Sequence, residues 1–459
     1  MNIRHIITFT IAVALTVSAF SQNDWVDLIN GKNLKGWKQL NGKAKYEVVD
    51  GLVVGTTVLG TPNSFLATRD DYSDFILEFD VLVDPRLNSG VQIRSHSLKE
   101  YNNGRVHGYQ VEIDPSERAW SAGIYDEARR GWLYNLEDNP RAREAFKVNG
   151  WNSYHIEAIG DTLRTWINGV QAVNLIDDMD GSGFIALQVH GVGNDKSKEG
   201  IKVIWQNIRV ATRNLEKYKY PVDHSVKEIS VIPNTLTSDE KEQGWELLWD
   251  GKTTNGWRGA GKADFPDKGW EIRDGALTVL ETGGREAEAG GDIVTDREYS
   301  NFELSLEFML TPGANSGIKY FVVEGLNQGI GSAIGLEYQL LDDSEHPDAN
   351  NGVGGNRTLA SLYDLIPANK ESLNIRPGQW NKARLLVDGS HVEHWLNNKK
   401  VVEYERGSQI YRALVQKSKY ANYANFGEAE KGHILLQDHG NRVSFRNIKI
   451  RDSGFGTRD

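Results

Sequence analysis

The feature that most restricts what this chain can fold into is a long internal repeat. Asp27-Leu-Ile-Asn-Gly31 followed by Gly36-Trp37 returns as Leu247-Leu-Trp-Asp-Gly251 followed by Gly256-Trp257. Asn88-Ser-Gly90 returns as Asn315-Ser-Gly317, Trp151-Asn152 as Trp380-Asn381, and Trp166-Ile-Asn-Gly169 as Trp395-Leu-Asn-Asn398. Gln188-Val-His-Gly191 returns as Gln437-Asp-His-Gly440, and Asn207-Ile208 as Asn447-Ile448. The order never changes, and the spacing drifts as insertions in loops would make it drift. Solenoid repeats run about 20–50 residues, so a unit this long is a duplicated domain. A chain of 459 residues has room for two such domains, each able to bury its own core. They are predicted at 22–213 and 243–453. The polar stretch 214–242, with Pro221 and Pro233, reads as a linker packing on the second domain. Within it, Thr237-Ser-Asp-Glu240 has the spacing of a capping box and predicts a short helix up to Gln243.

Inside each repeat the local pattern is that of strands. Phe75, Leu77, Phe79, Val81 and Val83 alternate with Glu78 and Asp80, and Phe302, Leu304, Leu306, Phe308 and Leu310 alternate with Glu303, Ser305 and Glu307. A period of two over nine residues is that of a half-buried strand. Shorter runs recur at 46–49, 52–54, 91–94, 109–113, 154–159, 184–189 and 203–210. Asp50-Gly51 and Asp274-Gly275 between paired runs signal tight hairpins, and Asn168-Gly169 and Asp388-Gly389 mark further turns. Only 138–146, with Arg141 and Arg143, suggests a helix in the first repeat. Many short strands, frequent turns and about 190 residues per unit predict an all-β chain: two tandem jelly-roll β-sandwiches, each with a groove on one sheet.

The first 21 residues read as an address. Arg4 precedes an apolar run, 6–20, and Ala19 and Ser21 are small residues placed as before a cleavage site. The run is shorter than the roughly 20 residues a spanning helix needs, and no later stretch approaches that length. A secreted or periplasmic bacterial protein is the expectation. The chain has no cysteine, which removes disulfides, thiolate metal sites and a cysteine nucleophile. Its net charge of −11 argues against nucleic acid as a partner.

The remaining polar chemistry gathers on a few strands. In Gly108-Tyr-Gln-Val-Glu-Ile-Asp114, alternation puts Gln110, Glu112 and Asp114 on one face, about 6.6–6.8 Å apart. Two carboxylates so placed could act as acid and base, or could belong to a solvated outer face. The counterpart is Leu336-Glu-Tyr-Gln339 running into Asp342-Asp343; there Glu337 and Gln339 share a face, with carboxylate and amide in the opposite order. Gln92 and Arg94 share a face after the first Asn-Ser-Gly, and Lys319 follows the second. Asn88 and Asn315 open those triplets. Tyr125 and Asp126 match Tyr363 and Asp364, and Gln188 with His190 matches Gln437 with His439. Trp166 and Trp395 could be sugar-stacking platforms or core residues. His107, Glu112 and His190 are of the type that Ca²⁺, Mn²⁺ or Zn²⁺ accepts, so a divalent metal ion stays open, although no compact ligand spacing supports one. There is no phosphate loop, dinucleotide fingerprint or nucleophile elbow.

Taken in order, these marks resemble the 3-keto-disaccharide hydrolase domain family. They are Leu247 to Gly251 with Gly256-Trp257, Asn315-Ser-Gly-Ile318, Glu337-Tyr-Gln339 into Asp342-Asp343, and Leu362-Tyr-Asp364. Trp380-Asn381, His394-Trp-Leu-Asn397, Leu436-Gln-Asp-His-Gly440 and Phe445-Arg-Asn-Ile448 complete them. The first repeat is similar to a second, more diverged copy. The resemblance implies a concanavalin A-like jelly roll and cleavage of glycosides oxidised at C3. A ketone at C3 acidifies the C2 hydrogen, a base removes it, the aglycone leaves C1, and water adds back. On this reading Glu112 and Asp114, or Glu337 and His439, supply base and acid, His190 is the first repeat's counterpart of His439, and Arg94 or Lys319 stabilises the enolate. Laminarinase-type jelly rolls use a Glu-x-Asp-x-Glu array, which Gln339 interrupts here. Two other classes stay open: a carbohydrate-binding protein without catalysis, or one catalytic and one binding domain. Which sugar, which copy is active and the oligomeric state lie beyond the sequence.

Overall fold

The computed structural model describes residues 24–285, 290–326, 333–371, 373 and 375–453. The expected export segment, 1–21, lies outside them. The chain divides into two compact units at Lys227/Glu228. The stretch between the repeats is therefore shared, and only its second part goes with the second unit. The short helix there is Ser238–Glu242, with the capping box complete: Thr237 accepts from Glu240 N, and Glu240 bonds back to Thr237 N. Among the described residues no helix is long and apolar enough to cross a membrane.

Each unit is an antiparallel β-sandwich. In the first, one sheet runs in the order Val170–Ile176, Thr162–Ile167, Asn152–Ile159, Phe75–Val83, Lys202–Ala211, Leu52–Thr56, Lys45–Val49. Facing it is Gly131–Tyr134, Ile124–Glu127, His107–Ile113, Ser89–His96, Gly183–Val189, Ser64–Tyr72, Trp37–Asn41. The second unit repeats the plan, with Phe302–Leu310 central in one sheet and Asn315–Val322 beside Leu336–Leu341 in the other. Helix is confined to short pieces such as Pro140–Ala145.

The alternating strands do what their pattern predicts. Phe75, Leu77, Phe79, Val81 and Val83 are buried, as are Phe302, Leu304, Leu306, Phe308 and Leu310. In the second unit those five pack with Ile318, Tyr320, Tyr338 and Leu340 from the facing sheet in one core. Each such side chain removed from water contributes on the order of 1.5–3 kcal/mol. In the first unit, hydroxyls also tie the sheets together: Tyr154 donates to the Glu112 carbonyl (3.3 Å), and Thr165 donates to the Ala122 carbonyl (2.6 Å). The hairpins close with the left-handed backbone their sequences require, Asp50 and Gly51 at φ 50° and 84° and Asp274 and Gly275 at 52° and 67°.

One pair of neighbouring strands departs from simple alternation. Ser89–His96 and His107–Ile113 are buried on both faces, apart from the half-buried end at His96. Their polar side chains are covered, and a solvated outer face is not what the first repeat's Gln110 and Glu112 form.

Candidate active site

Glu112 is the centre of the first unit's polar cluster. It is 4% exposed, and its carboxylate accepts from Asn88 Nδ2 and from Gln110 Nε2 (2.9 Å). The Arg118 guanidinium stands 3.4 Å away. Gln110 is itself aimed by its neighbours. Its Oε1 accepts from Gln92 Nε2 and Gln188 Nε2, each at 2.7 Å, which leaves its nitrogen to donate to Glu112. The strand register explains the meeting: Gln92 pairs directly with Gln110, Gly90 with Glu112, and Gln188 with Gly90. A Cβ on Gly90 would come within 2.6 Å of the Gln110 side chain, so the glycine of Asn-Ser-Gly makes the space across which Gln110 lies.

Burial pushes the Glu112 carboxyl up to about 7, against the pull of the Asn88 and Gln110 hydrogen bonds and of Arg118. A carboxyl poised there can take or give a proton at neutral pH. It opens into a cleft of about 380 Å³ lined also by Gln188, His190, Tyr125, Trp132, Asn63, Arg105 and Glu127. Tyr125 and Trp132 meet edge to face at 5.3 Å, and the Arg118 guanidinium lies over Trp132 at 5.0 Å and Trp120 at 4.9 Å. Tyr125 and Glu127 face the cleft because Ile124–Glu127 alternates. Asp126 points the other way and is fully buried against Arg129 and Arg130. Glu127 pairs with Gly108, four residues before Glu112, which sets the two carboxyl-bearing Cα atoms about 13 Å apart along the strand.

Several sequence-predicted residues stand elsewhere. The strand ends at Ile113, so Asp114 turns into the following loop. There it accepts from Ser116 Oγ (2.6 Å) and Arg118 Nε (2.8 Å), bonds that outweigh burial and hold its carboxyl below the usual range. Asp114 positions Arg118 and does not line the cleft. Arg94 sits at a register shift with φ 45° and is turned to the Ser73 carbonyl (2.7 Å), the Gly160 carbonyl (2.8 Å) and Asp74 (3.0 Å), away from Glu112. Trp166 lies in the other sheet, 2% exposed, against His155 and Tyr220. Trp395 is also on the other sheet, donating to Glu393 beneath Arg384. His107 bonds the Arg105 carbonyl and stacks near Tyr101. Among the described residues, His107, Glu112 and His190 do not converge as ligands. Among the described residues the trio whose atoms lie within 4.8 Å is His391, Glu393 and Glu403, and Lys400 already bridges its two carboxylates.

The second unit mirrors this cluster with the carboxylate moved. Gly317 pairs with Gln339, and Lys319 with Glu337. The Gln339 amide, oriented to donate, reaches Glu337 Oε1 and the Ser316 carbonyl at 3.1 Å each, and lies 3.2 Å from Asn315. Asn315 Nδ2 is 3.2 Å from His439 Nε2, and the His439 Nδ1 is buried without a partner among the described residues. Ser316 Oγ donates to the Gln437 carbonyl (2.8 Å) as Ser89 Oγ does to that of Gln188 (2.7 Å). Lys319 is buried beside Asp292 (3.5 Å). Tyr363 is committed to Asp348 (2.7 Å) under Lys419. Asp342 caps the strand end through Gly313 N (2.8 Å) and Ser344 Oγ (2.6 Å), as Asp114 does.

Arg118, Glu127, Trp132, Asn63 and Arg105 were not singled out by sequence reasoning. The four-residue step from Asp114 to Arg118 is the one signal that could have found any of them.

Comparison with known proteins follows the same division. A family profile described as the 3-keto-alpha-glucoside-1,2-lyase-like domain matches residues 24–211 and again 244–451. A 3-keto-disaccharide hydrolase of Bacteroides thetaiotaomicron is 39% identical over 230 residues, 45% of this chain and 78% of that one. Two glycosyl hydrolase candidates of known structure from Parabacteroides distasonis are also similar. One is 31% identical over 48% of this chain and 99% of its own, with a TM-score of 0.41. The other is 28% identical over 45% and 98%, with a TM-score of 0.34.

Proposed function

The chain belongs to the 3-keto-alpha-glucoside-1,2-lyase-like family, twice over, and on that premise we propose that it is an exported bacterial enzyme that cleaves glycosides carrying a ketone at C3. The observation that carries this reading is Glu112: a buried carboxyl held near 7, at the floor of a cleft, with its donors already in place. Glu112 removes the proton from C2. The electron pair moves toward the C3 ketone, and the enolate oxygen that develops is met by the Arg118 guanidinium. The bond from C1 to the aglycone then breaks. Tyr125 and Trp132 give the sugar ring an aromatic wall, and Gln188, His190 and Asn88 offer hydrogen bonds to its hydroxyls. Preorganised donors at developing charge are worth about 10²–10³ in rate each.

The family's description as a 1,2-lyase accords with elimination across C1 and C2. A second reading has one observation in its favour. The place of Glu112 is taken in the second unit by Gln339, so the chain could combine one catalytic unit with one that binds sugar.

The test is aglycone release by the mature chain from a 3-keto-glucoside and from the unoxidised glucoside. Release from the first alone supports the enzyme. Inactivity on both, with sugar binding kept, overturns it in favour of a carbohydrate-binding protein. Glu112→Gln and Glu337→Gln, measured separately, assign the chemistry to a unit; full rate in both variants sinks the site.

A further inference from the structure

The Glu112 cleft does not end at its far side. A second cavity of about 620 Å³ adjoins it, and the two share three lining residues: Asn63, Arg105 and Glu127. Glu127 is thus at the wall between two chambers. Its side chain is 8% exposed and lies 3.4 Å from Arg105. Burial pushes its carboxyl up, opposed by Arg105, His190 and Asn63. Beyond the wall the second chamber is edged by Asn102 and Asn103, whose exposed side chains stand on left-handed backbone (φ 44° and 57°) at the tip of a turn. Across from them is Gly191, where a Cβ would come within 2.8 Å of the Thr61 carbonyl.

We propose that Glu127 is the proton donor to the departing glycosidic oxygen, and that the chamber beyond it receives the leaving group as a second sugar. This rests on the elimination reading above and gives it a direction: the keto sugar lies on the Glu112 side, and the bond that breaks lies at the shared wall. About 13 Å along the strand direction, with one strand spacing across, is a span that two glutamate side chains leaning toward each other can close over one sugar ring. The protons balance. Glu112 takes the C2 proton; the C1–O bond breaks with its electron pair on oxygen, and Glu127 protonates that oxygen. Water then adds its hydroxyl to C1 and gives its proton to Glu127, while Glu112 returns its own to C2. One water is consumed, and both carboxyls end as they began. The amides of Asn102 and Asn103 suit the hydroxyls of a leaving sugar.

The test compares two leaving groups on the full chain: the 3-keto-glucoside of 4-nitrophenol, which departs without protonation, and that of glucose, which does not. Glu127→Gln should slow release of glucose by about 10²-fold or more, the range of general acid catalysis, and leave nitrophenol release within about threefold. Equal slowing of both, or of neither, overturns the donor role. The exposed pair Asn102→Ala/Asn103→Ala, which leaves the core untouched, should raise KM for the disaccharide several-fold and not for the nitrophenyl substrate. An unchanged KM for the disaccharide overturns the leaving-sugar chamber. Release of neither product by the native chain overturns the elimination reading, and this inference with it.

Discussion

Glu112 and Gln339 hold the same position in their two sheets, each paired in register with the glycine of an Asn-Ser-Gly triplet, Gly90 and Gly317. Two residues earlier the types are exchanged, Gln110 against Glu337. In both units the glutamine donates to the glutamate, at 2.9 Å and 3.1 Å. The couple is kept and its direction reversed, which moves the carboxylate by about 6.6–6.8 Å along the strand.

That displacement can be made by hand. The double exchange Gln110→Glu/Glu112→Gln gives the first unit the second unit's order without changing its volume. It should fold with little change in Tm and lose about 10²-fold or more in kcat on a 3-keto-glucoside if the first unit carries the chemistry. Retained activity would show that the reaction does not depend on a carboxylate at position 112 of the first unit.

A base must be ionised to work. With its carboxyl near 7, Glu112 is protonated in acid and loses the proton through neutrality, so kcat/KM for the 3-keto-glucoside of 4-nitrophenol, whose leaving group needs no proton donor, should rise with pH across a limb near 7 and level off above it. Glu112→Gln should abolish that limb and lower the rate by about 10²–10⁴-fold. A pH–rate profile with the same limb in the variant would assign it to another group.

Arg118 is held by Asp114, faces Glu112 and stacks on Trp120 and Trp132. Lysine keeps the charge and loses the planar fork and the stacking. Arg118→Lys should therefore reduce kcat by roughly 10–10²-fold with a smaller effect on KM. Steady-state kinetics decide it; a change in KM alone would make Arg118 a ground-state contact.

On the opposite sheet, His155 is clamped between Glu78 (2.9 Å) and Glu157 (3.2 Å) and covered by the Tyr220 ring, stacked at 3.7 Å. Burial opposes its charge, but the bonds to Glu157 and Glu78 win and raise its pKa. The folded state thus binds this proton more tightly than the unfolded one. The stabilisation is fully present below the unfolded value of about 6.5 and is lost as pH rises through the higher folded value. The Tm of the native chain should fall across that window more steeply than that of His155→Gln, with roughly 2–4 °C for each kcal/mol in a unit of this size. Parallel curves in thermal scans would contradict it.

The faces of this site's strands were legible in the sequence, because alternation places Gln110 and Glu112 on one side. That Gln92 and Gln188 meet them follows from the strand register, which alternation within one strand does not fix. Reasoning failed where the period breaks. Arg94 lies within a register shift and is itself on left-handed backbone, which rotates it off the face it shares on paper with Gln92. Asp114 is one residue past the strand end. Trp166 and Trp395 belong to strands of the opposite sheet, a partition that periodicity cannot assign. Arg118, Arg105 and Asn63 come from loops, where no period exists to place them, and Glu127 reaches the cleft only through the pairing of Ile124–Glu127 with His107–Ile113.

The stacking of Tyr220 on His155 also decides where the first unit can be cut free. The repeat itself stops near residue 211, yet Tyr220 N bonds Glu157 (2.7 Å), Asp223 N bonds Gln171 (2.7 Å), and the Lys227 carbonyl accepts from Tyr134 (2.9 Å). A fragment ended at the repeat boundary would bare the ring of a buried histidine, leave the Glu157 carboxylate and the Gln171 amide oxygen each short of a donor, and leave the Tyr134 hydroxyl short of its acceptor. One ended after Lys227 carries its own cover, and that is the smallest piece expected to stand alone.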